Sequence, residues 1–170
     1  MSASDPLPTL PIFDRYCSAE ARAECEMMNG RCACGAVAYR LASQPRDTGW
    51  CHCRVCQHVS GSIGMVFTTV PLHDLQIIQG ANQIGNFAST SFGERSFCRA
   101  CGSPLTIHVR HQPDEIDVAV GTLDSPDSVK PKFHLYVAAA PRWADLNDGL
   151  PQYEALRPNT RGLRAGQTEA

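Results

Sequence analysis

Closely spaced cysteines are the feature of this sequence that most limits what the chain can fold into. Nine of the 170 residues are cysteines, and seven of them fall into three tight groups. The groups are Cys32 and Cys34, then Cys51, Cys53 and Cys56, then Cys98 and Cys101. An odd number of cysteines bunched one or two residues apart does not make a disulfide framework. Such thiols, where no secretory signal precedes them, are more often metal ligands or redox groups.

The spacing within each group suits a shared metal ion. Cys98 and Cys101, followed by Gly102, form a C-x-x-C-G knuckle. Its tight turn points both sulfurs at one ion, and the glycine relieves backbone strain beyond the second ligand. In a C-x-C pair, an extended chain places both sulfurs on the same face. A structural zinc site takes four closed ligands and a catalytic one takes three plus an open position, so seven cysteines fit one site of each kind.

Spacing alone does not decide which groups combine. Because Cys51, Cys53 and Cys56 are a self-contained group of three, we assign them to a zinc site whose fourth position is free for water or a substrate thiol. The closed site then takes the remaining four cysteines, Cys32, Cys34, Cys98 and Cys101. Two alternatives stay open for the group of three: a second structural site completed by His52 or His58, and an iron–sulfur cluster.

Charge and hydropathy argue against several classes of partner. There are 15 Lys and Arg against 17 Asp and Glu, for a net charge of −2, so no basic surplus is available to bind nucleic acid. The longest apolar stretches, such as 135–141, are far shorter than the roughly 18 residues of a membrane-spanning helix. No basic residue precedes Asp5 and prolines interrupt the apolar segment after it, which predicts no signal peptide and a cytoplasmic location.

Short apolar runs separated by turn residues begin at Gly30 and predict a mainly β domain. No segment predicts a long amphipathic helix. Alternating apolar positions predict strands over 37–41, 105–109, 116–120 and 133–137, and further strands over 62–69, 75–79, 83–89 and 94–98. We predict an N-terminal arm over 1–29, a zinc-binding domain over 30–146 and a C-terminal extension over 147–170. Cys17 and Cys25, in the arm, are predicted to be ordinary free cysteines.

One predicted strand carries polar side chains of interest. His134 and Tyr136 alternate with the apolar residues of 133–137 and so lie on its other face. We expect them to face solvent, with the lining of a pocket as the alternative.

Five sequence blocks occur in an order that marks one known family. The first is GRCACGAVAY at 30–39, which resembles G-x-C-x-C-G-x-V-x-Y. The next are CHCRVC at 51–56, which resembles C-H-C-x-x-C, and RSFCRACG at 95–102, which resembles R-x-F-C-x-x-C-G. GTLD at 121–124 and HLYV at 134–137, followed by Trp143, are similar to the closing segments. These blocks resemble the glutathione-dependent formaldehyde-activating enzyme (GFA) family, whose domain also occurs in centromere protein V, over about residues 29–146.

This resemblance implies a β-tent fold of small antiparallel sheets organised around zinc, with two zinc ions per chain. It implies a structural zinc at Cys32, Cys34, Cys98 and Cys101, and a catalytic zinc at Cys51, Cys53 and Cys56. The implied activity is that of a carbon–sulfur lyase resembling S-(hydroxymethyl)glutathione synthase, with glutathione and formaldehyde, or another small aldehyde, as partners. Many members have a basic residue after the third cysteine of C-H-C-x-x-C, where this chain has Gln57 and His58.

The chemistry expected at the group of three is addition of a thiol to an aldehyde. A free thiol is only a few per cent ionised at neutral pH, and binding to zinc removes that limit. The thiolate attacks the aldehyde carbon while a donor protonates the developing alkoxide, and His52, with His58, is the nearest candidate for that proton transfer. A zinc-stabilised binding module or glutathione carrier without catalysis is the alternative, and a redox or zinc sensor is a weaker one.

Overall fold

The computed structural model describes residues 27–158. Residues 1–26 and 159–170 lie outside the described part, and so do the predicted free cysteines Cys17 and Cys25. Within residues 27–158, no helix has the length and apolar character needed to cross a membrane.

The strands of the described chain form two β-sheets. The three-stranded sheet has the order β1-β2-β5, and the eight-stranded sheet has the order β11-β10-β3-β4-β9-β8-β7-β6. The strands are β1 (Met28–Arg31), β2 (Ala38–Leu41), β3 (Arg46–Cys51), β4 (Met65–Pro71), β5 (Leu75–Gln79), β6 (Ile84–Ala88), β7 (Gly93–Cys98), β8 (Pro104–Val109), β9 (Glu115–Ala119), β10 (His134–Leu135) and β11 (Gln152–Tyr153). Neighbouring strands are antiparallel except that β10 runs parallel to both β3 and β11. The predicted mainly β fold of antiparallel sheets is confirmed.

The predicted strands occur close to their expected places. The clearest difference is at 133–137, where only His134–Leu135 forms a strand. Tyr136 has a φ of +57°, a left-handed conformation that ends an extended strand. Periodicity of the side chains does not reveal such a change of backbone direction.

The sequence analysis did not predict the strands β1, β3 and β11. It also did not predict the short helix α1 (Arg54–Ser60). Cys53 caps its first turn, since its sulfur accepts a hydrogen bond from the backbone N–H of Cys56, and Gly61 ends it with a φ of +64°. Seven residues are too few to display an apolar periodicity. The helix therefore exists because of its two caps and its packing.

Two apolar clusters form the core, and each contains cysteines. Cys32 and Cys98 belong to the first, with Met28, Val37, Tyr39, Leu41, Val70, Leu105, Ile116, Val118, Val120 and Leu123. Cys51 and Cys56 belong to the second, with Met65, Phe67, Ile107, Val109 and Ala119. Val118 and Ala119 are consecutive on β9 and enter different clusters, as expected for side chains that alternate across a sheet.

The chain after residue 146 returns to the large sheet. β11 pairs with β10, and the guanidinium of Arg157 lies 3.9 Å from the ring centroid of Phe133. Arg157 also forms an ion pair with Asp47. The domain boundaries at residues 30 and 146 stay predictions, but the described part of the C-terminal extension contacts the domain.

Candidate metal centres

Four cysteine sulfurs from two distant loops meet at the first centre, which we call the quartet. Cys32 and Cys34 follow β1, whereas Cys98 and Cys101 lie at the turn between β7 and β8. Their sulfur atoms all lie within 4.8 Å of one another. The Sγ atoms of Cys32 and Cys34 are 3.5 Å apart, and those of Cys34 and Cys98 are 3.8 Å apart. Ligands about 2.3 Å from a tetrahedral zinc lie about 3.8 Å from each other, so the donor set fits zinc.

Each loop of the quartet is closed by the backbone N–H of a glycine. The N–H of Gly35 donates to the carbonyl of Cys32 over 3.0 Å, and the N–H of Gly102 donates to the carbonyl of Cys98 over 2.8 Å. Gly35 and Gly102 have φ values of +74° and +75°, which glycine adopts without strain. The backbone N–H of Val37 also donates to the Cys32 sulfur over 3.2 Å. Hydrogen bonds of this kind favour the thiolate form that binds metal.

Three sulfurs from a single short segment form the second centre, which we call the trio. Cys51 ends β3, Cys53 caps α1, and Cys56 lies in the first turn of α1. Their sulfurs also lie within 4.8 Å of one another. Cys51 and Cys56 are buried and Cys53 is half-buried. Neither of the two nearby histidines considered as a further ligand belongs to this group; they are His52 and His58.

Without a bound cation, the three thiols of the trio do not all ionise together. Hydrogen bonds from the thiols of Cys51 and Cys56 lower the pKa of Cys53 to about 2. The same sharing with Cys53 raises the pKa of Cys51 well above its ordinary value. One thiolate is thus stabilised by two neighbouring thiols, and like charges at this distance disfavour a second. A divalent cation removes that restriction, so the donor set also fits zinc.

A buried arginine lies against the trio. Arg95, on β7, is only 4% exposed, and its Nη2 donates to the Cys56 sulfur over 3.2 Å. Its Nε donates to the hydroxyl of Ser89 over 3.2 Å, and its guanidinium lies 5.5 Å from the ring centroid of Phe67. A buried cation is stable only beside negative charge. Three thiolates with a divalent ion would leave one negative charge in excess, which the charge of Arg95 would balance.

A cavity of about 200 Å³ opens directly onto the trio. All three cysteines line it, together with the apolar side chains of Val55, Phe67, Phe92, Ile107 and Tyr136 and with Ser89, Thr90 and Arg95. The hydroxyl oxygen of Thr90 is buried and has no hydrogen-bond partner among the described residues. The trio therefore has room for a molecule on one side, whereas the quartet surrounds its centre with sulfur.

Tyr136 lines this cavity, and the expectation that it faces solvent is wrong. Its φ of +57° is rare for a residue with a Cβ, and backbone in this region costs about 1 kcal/mol or more. The left-handed turn redirects the chain after β10, and the side chain comes to lie beside the trio. Strain of this kind is concentrated at functional sites.

His134 is also buried, at 3% exposed, which corrects the expectation that it faces solvent. β10 lies between β3 and β11, so both of its edges are paired, and the ring of His134 stacks on that of His52 with centroids 5.2 Å apart. Its Nδ1 is 2.9 Å from Nε2 of His52, and its Nε2 is 2.9 Å from a carboxylate oxygen of Asp148. His52 Nδ1 is in turn 3.0 Å from the carbonyl oxygen of Ile63. The two histidines thus link a backbone carbonyl to a half-exposed carboxylate.

Hydrogen-bond acceptors stand at both ends of this histidine chain. The Ile63 carbonyl and the Asp148 carboxylate only accept, so each takes an N–H from the ring opposite it. Burial lowers the pKa of His52. His52 does not line the cavity, and its ring lies in this chain instead.

The backbone around His52 is held on two sides. The side-chain amide of Gln57 donates to the carbonyl of His52 over 2.6 Å and to that of Ala139 over 2.9 Å. On the other side, a Cβ at Gly64 would lie only 2.8 Å from the Cys51 carbonyl oxygen and 2.8 Å from His52 Nδ1. The segment carrying the trio is therefore fixed by close packing and by Gln57.

Comparison with known proteins gives a consistent result. The sequence profile of the family described as "Glutathione-dependent formaldehyde-activating enzyme" matches residues 27–139, which is more than half of the chain. A Halomonas elongata protein named "Putative glutathione-dependent formaldehyde-activating enzyme" is 28% identical over 128 residues, covering 71% of this chain and 81% of that protein. An uncharacterized lyase of Schizosaccharomyces pombe is 30% identical over 76 residues, covering 45% of this chain and 53% of the lyase.

One solved structure has a similar fold. The crystal structure of a Rhodobacter sphaeroides protein aligns with a TM-score of 0.50 and 24% identity, covering 74% of this chain and 99% of that one. At this identity the likeness concerns the fold alone.

Proposed function

Because the chain belongs to the glutathione-dependent formaldehyde-activating enzyme family, we propose that it is a zinc-dependent carbon–sulfur lyase. It adds the thiol of glutathione to a small aldehyde, of which formaldehyde is the simplest, and catalyses the reverse cleavage. The observation that carries this proposal is the trio, three converging sulfurs that face a cavity beside a buried guanidinium. We also infer a cytoplasmic location, where such thiols remain reduced.

The two centres would have different functions, one structural and one catalytic. Cys32, Cys34, Cys98 and Cys101 would hold a structural zinc, because four sulfurs complete a tetrahedral shell. Cys51, Cys53 and Cys56 would hold the catalytic zinc, because three sulfurs leave one position facing the cavity. A zinc ion bound there would supply Lewis acidity that keeps an incoming thiol ionised at neutral pH.

Arg95 would keep the trio neutral overall. Its guanidinium donates to the Cys56 sulfur, and a hydrogen bond to one sulfur draws charge away from it. The arginine is held in place by Ser89 and by the ring of Phe67. Its position would favour binding of the thiol substrate as an anion, since the added negative charge is partly compensated.

Tyr136 would donate a hydrogen bond to the oxygen of the aldehyde. As the C–S bond forms, the carbonyl electron pair moves to oxygen, which then takes up the proton lost by the thiol. A phenol hydroxyl is a donor, and Tyr136 lines the same cavity as the three sulfurs. Of the polar groups in this lining, it is the one that the strained backbone directs there.

His52 would act as a positioning residue. Its ring nitrogens face Ile63 and His134, and its carbonyl accepts from Gln57. These contacts fix the residue between Cys51 and Cys53, and so fix the two sulfurs. The sequence analysis predicted His52 as the proton donor. We propose Tyr136 for this role instead.

Exchange NMR of glutathione and formaldehyde with the zinc-loaded protein tests the proposal. The rate of exchange between free glutathione and its hemithioacetal should rise above the spontaneous rate in proportion to protein concentration. Tyr136→Phe, which removes only a hydroxyl, should lower the protein-dependent rate about 100-fold. Tyr153→Phe, a matched change on β11 outside the cavity lining, should leave that rate within twofold of wild type.

Two results would contradict the proposal in different ways. Saturable binding of glutathione without any increase in exchange would favour the alternative, a glutathione carrier or binding module. Full catalysis by Tyr136→Phe would retain the lyase activity but remove the role given to the tyrosine.

A further inference from the structure

The cavity at the trio is larger than formaldehyde requires. Formaldehyde has two heavy atoms and is comparable in size to a water molecule, whose share of liquid volume is about 30 Å³. The cavity has about 200 Å³. Even with a metal ion at the sulfurs, the space beside the reacting carbon would accept several more heavy atoms.

The walls of this space are mainly apolar. Val55, Phe67, Phe92, Ile107 and the ring of Tyr136 contribute to the lining. Phe67 and Ile107 are buried, at 6% and 5% exposed, and belong to the second core cluster. A methylene group moved from water into such surroundings improves binding about fourfold. The apolar walls therefore increase the affinity for an aldehyde with an apolar substituent, and formaldehyde has no such substituent.

The charged parts of glutathione do not match these walls. Glutathione carries two carboxylates and an ammonium group, each of which needs a partner when it is buried. Among the described residues that line the cavity, Arg95 is the only Lys, Arg, Asp or Glu. Its guanidinium is already directed to Cys56 and Ser89. The charged ends of the thiol substrate then lie outside the cavity, and its interior is left for the aldehyde.

We infer that the aldehyde used at the trio is larger than formaldehyde and carries an apolar substituent of several carbons, which occupies the cavity lined by Val55, Phe92 and Ile107. This inference rests on the proposed function. The sulfur of the thiolate forms a bond to the carbonyl carbon, the C=O electron pair moves to oxygen, and oxygen takes the proton released by the thiol. The product is a hemithioacetal, and no oxidant or reductant takes part.

The test compares butanal with formaldehyde in the zinc-loaded full chain. For each aldehyde, exchange NMR gives the protein-dependent rate divided by the spontaneous rate with glutathione, which corrects for the different reactivity of the two aldehydes. We expect the acceleration to be at least tenfold greater for butanal. Binding of the unreactive analogues butanamide and formamide gives a second measurement, which does not depend on turnover, and butanamide should bind at least tenfold more tightly.

Two matched substitutions on α1 test whether the preference for the butyl compounds arises in the cavity. Val55→Phe fills the cavity and should reduce both preferences for the butyl compound to about threefold or less. Val59→Phe makes the same change one helical turn further on. Val59 does not line the cavity but lines a neighbouring groove, which shares Phe67 and Arg95 with it, so both preferences should remain.

The outcomes separate this inference from the proposed function. Acceleration with formaldehyde equal to or greater than that with butanal would overturn the inference and leave the lyase activity standing, as would equal binding of the two amides. A preference that follows the apolar size of the thiol, instead of the aldehyde, would overturn it as well. No acceleration with either aldehyde would overturn the proposed function and this inference with it. Equal effects of Val55→Phe and Val59→Phe would contradict the placement in the cavity.

Discussion

The quartet and the trio differ in where their sulfurs come from. In the quartet, Cys34 and Cys98 are 64 residues apart in sequence, and their sulfurs lie within 3.8 Å of each other. All three sulfurs of the trio come from residues 51–56. Ligands from distant loops tie parts of a fold together, so we expect the quartet to contribute stability. The trio lies on one short segment and faces a cavity, so we propose that the chemistry takes place there.

The surroundings of the two centres reinforce this difference. The quartet has two exposed members, Cys34 and Cys101, and two buried ones. The trio faces a largely apolar cavity and is in contact with the guanidinium of Arg95. Charge interactions are stronger away from water, so the same thiolate ligands have larger electrostatic consequences at the trio.

Removing one cysteine sulfur from each centre should give the largest difference between them, in folding and in catalysis. Cys98→Ala should unfold the chain, because structural zinc contributes roughly 10 kcal/mol, comparable to the total stability of a domain. Cys53→Ala should keep the fold and lose catalysis. Circular dichroism and metal analysis should find a folded Cys53→Ala protein whose metal content falls from two to one per chain.

The reverse pattern would break the comparison. If Cys98→Ala stays folded with an unchanged melting temperature, the quartet does not hold the fold together. If Cys53→Ala unfolds, the trio is a structural centre as well.

Arg95 should affect the trio without affecting the quartet. Hydrogen bonds to charged groups contribute about 1.5–3 kcal/mol, so Arg95→Met should weaken zinc binding at the trio roughly 10- to 100-fold. Arg95→Lys retains the charge and should give a smaller loss. Competition with a chelator, measured separately for each site, gives the affinities.

Arg99→Met is the matched control for this change. Arg99 lies between two quartet cysteines, and its Nε donates to the carbonyl of Ile84 over 3.1 Å. Its side chain makes no hydrogen bond to sulfur among those described, so neither affinity should change more than about twofold. Equal effects of Arg95→Met and Arg99→Met would remove the special role of Arg95.

The smallest effect should come from the carboxylate at the end of the histidine chain. The backbone N–H of Leu150 and the side chain of His134 lower the pKa of Asp148. The ionised form is therefore favoured by folding, and its contribution is present above the ordinary carboxyl pKa and is lost as pH falls through the folded value. Wild type should melt slightly higher than Asp148→Asn at pH 7; this difference should begin to shrink near the ordinary carboxyl pKa of about 4 and disappear once the pH is below the lowered pKa of the folded state. A difference in melting temperature that does not change with pH would contradict this account.

Local patterns in the sequence predicted the cysteine groups and all strands of the described chain except β1, β3 and β11. Alternating apolar residues mark half-buried strands directly. The C-x-C and C-x-x-C spacings place pairs of sulfurs together without any knowledge of the rest of the fold. The glycine of the knuckle, Gly102, also has the conformation that its place in the motif predicts.

The residues that the sequence analysis missed come together through strand pairing. His134 reaches His52 because β10 pairs in parallel with β3, with His134 opposite Trp50 and Leu135 opposite Cys51. Arg95 reaches Cys56 across 39 residues. The place of Arg95 in the R-x-F-C-x-x-C-G block was visible, but no local spacing connects it to the trio. Nor does any local pattern reveal the left-handed backbone of Tyr136.

The most direct test of the division between the centres is the absorption spectrum of the cobalt-substituted protein during titration with glutathione. Cobalt at an open site should change its visible bands when a thiol binds, whereas cobalt enclosed by four sulfurs should not. We predict a saturable change in wild type that is absent from Cys53→Ala, which retains the quartet. A spectrum that does not respond to glutathione, or a response that persists in Cys53→Ala, would contradict the claim that the trio is the open, reactive centre.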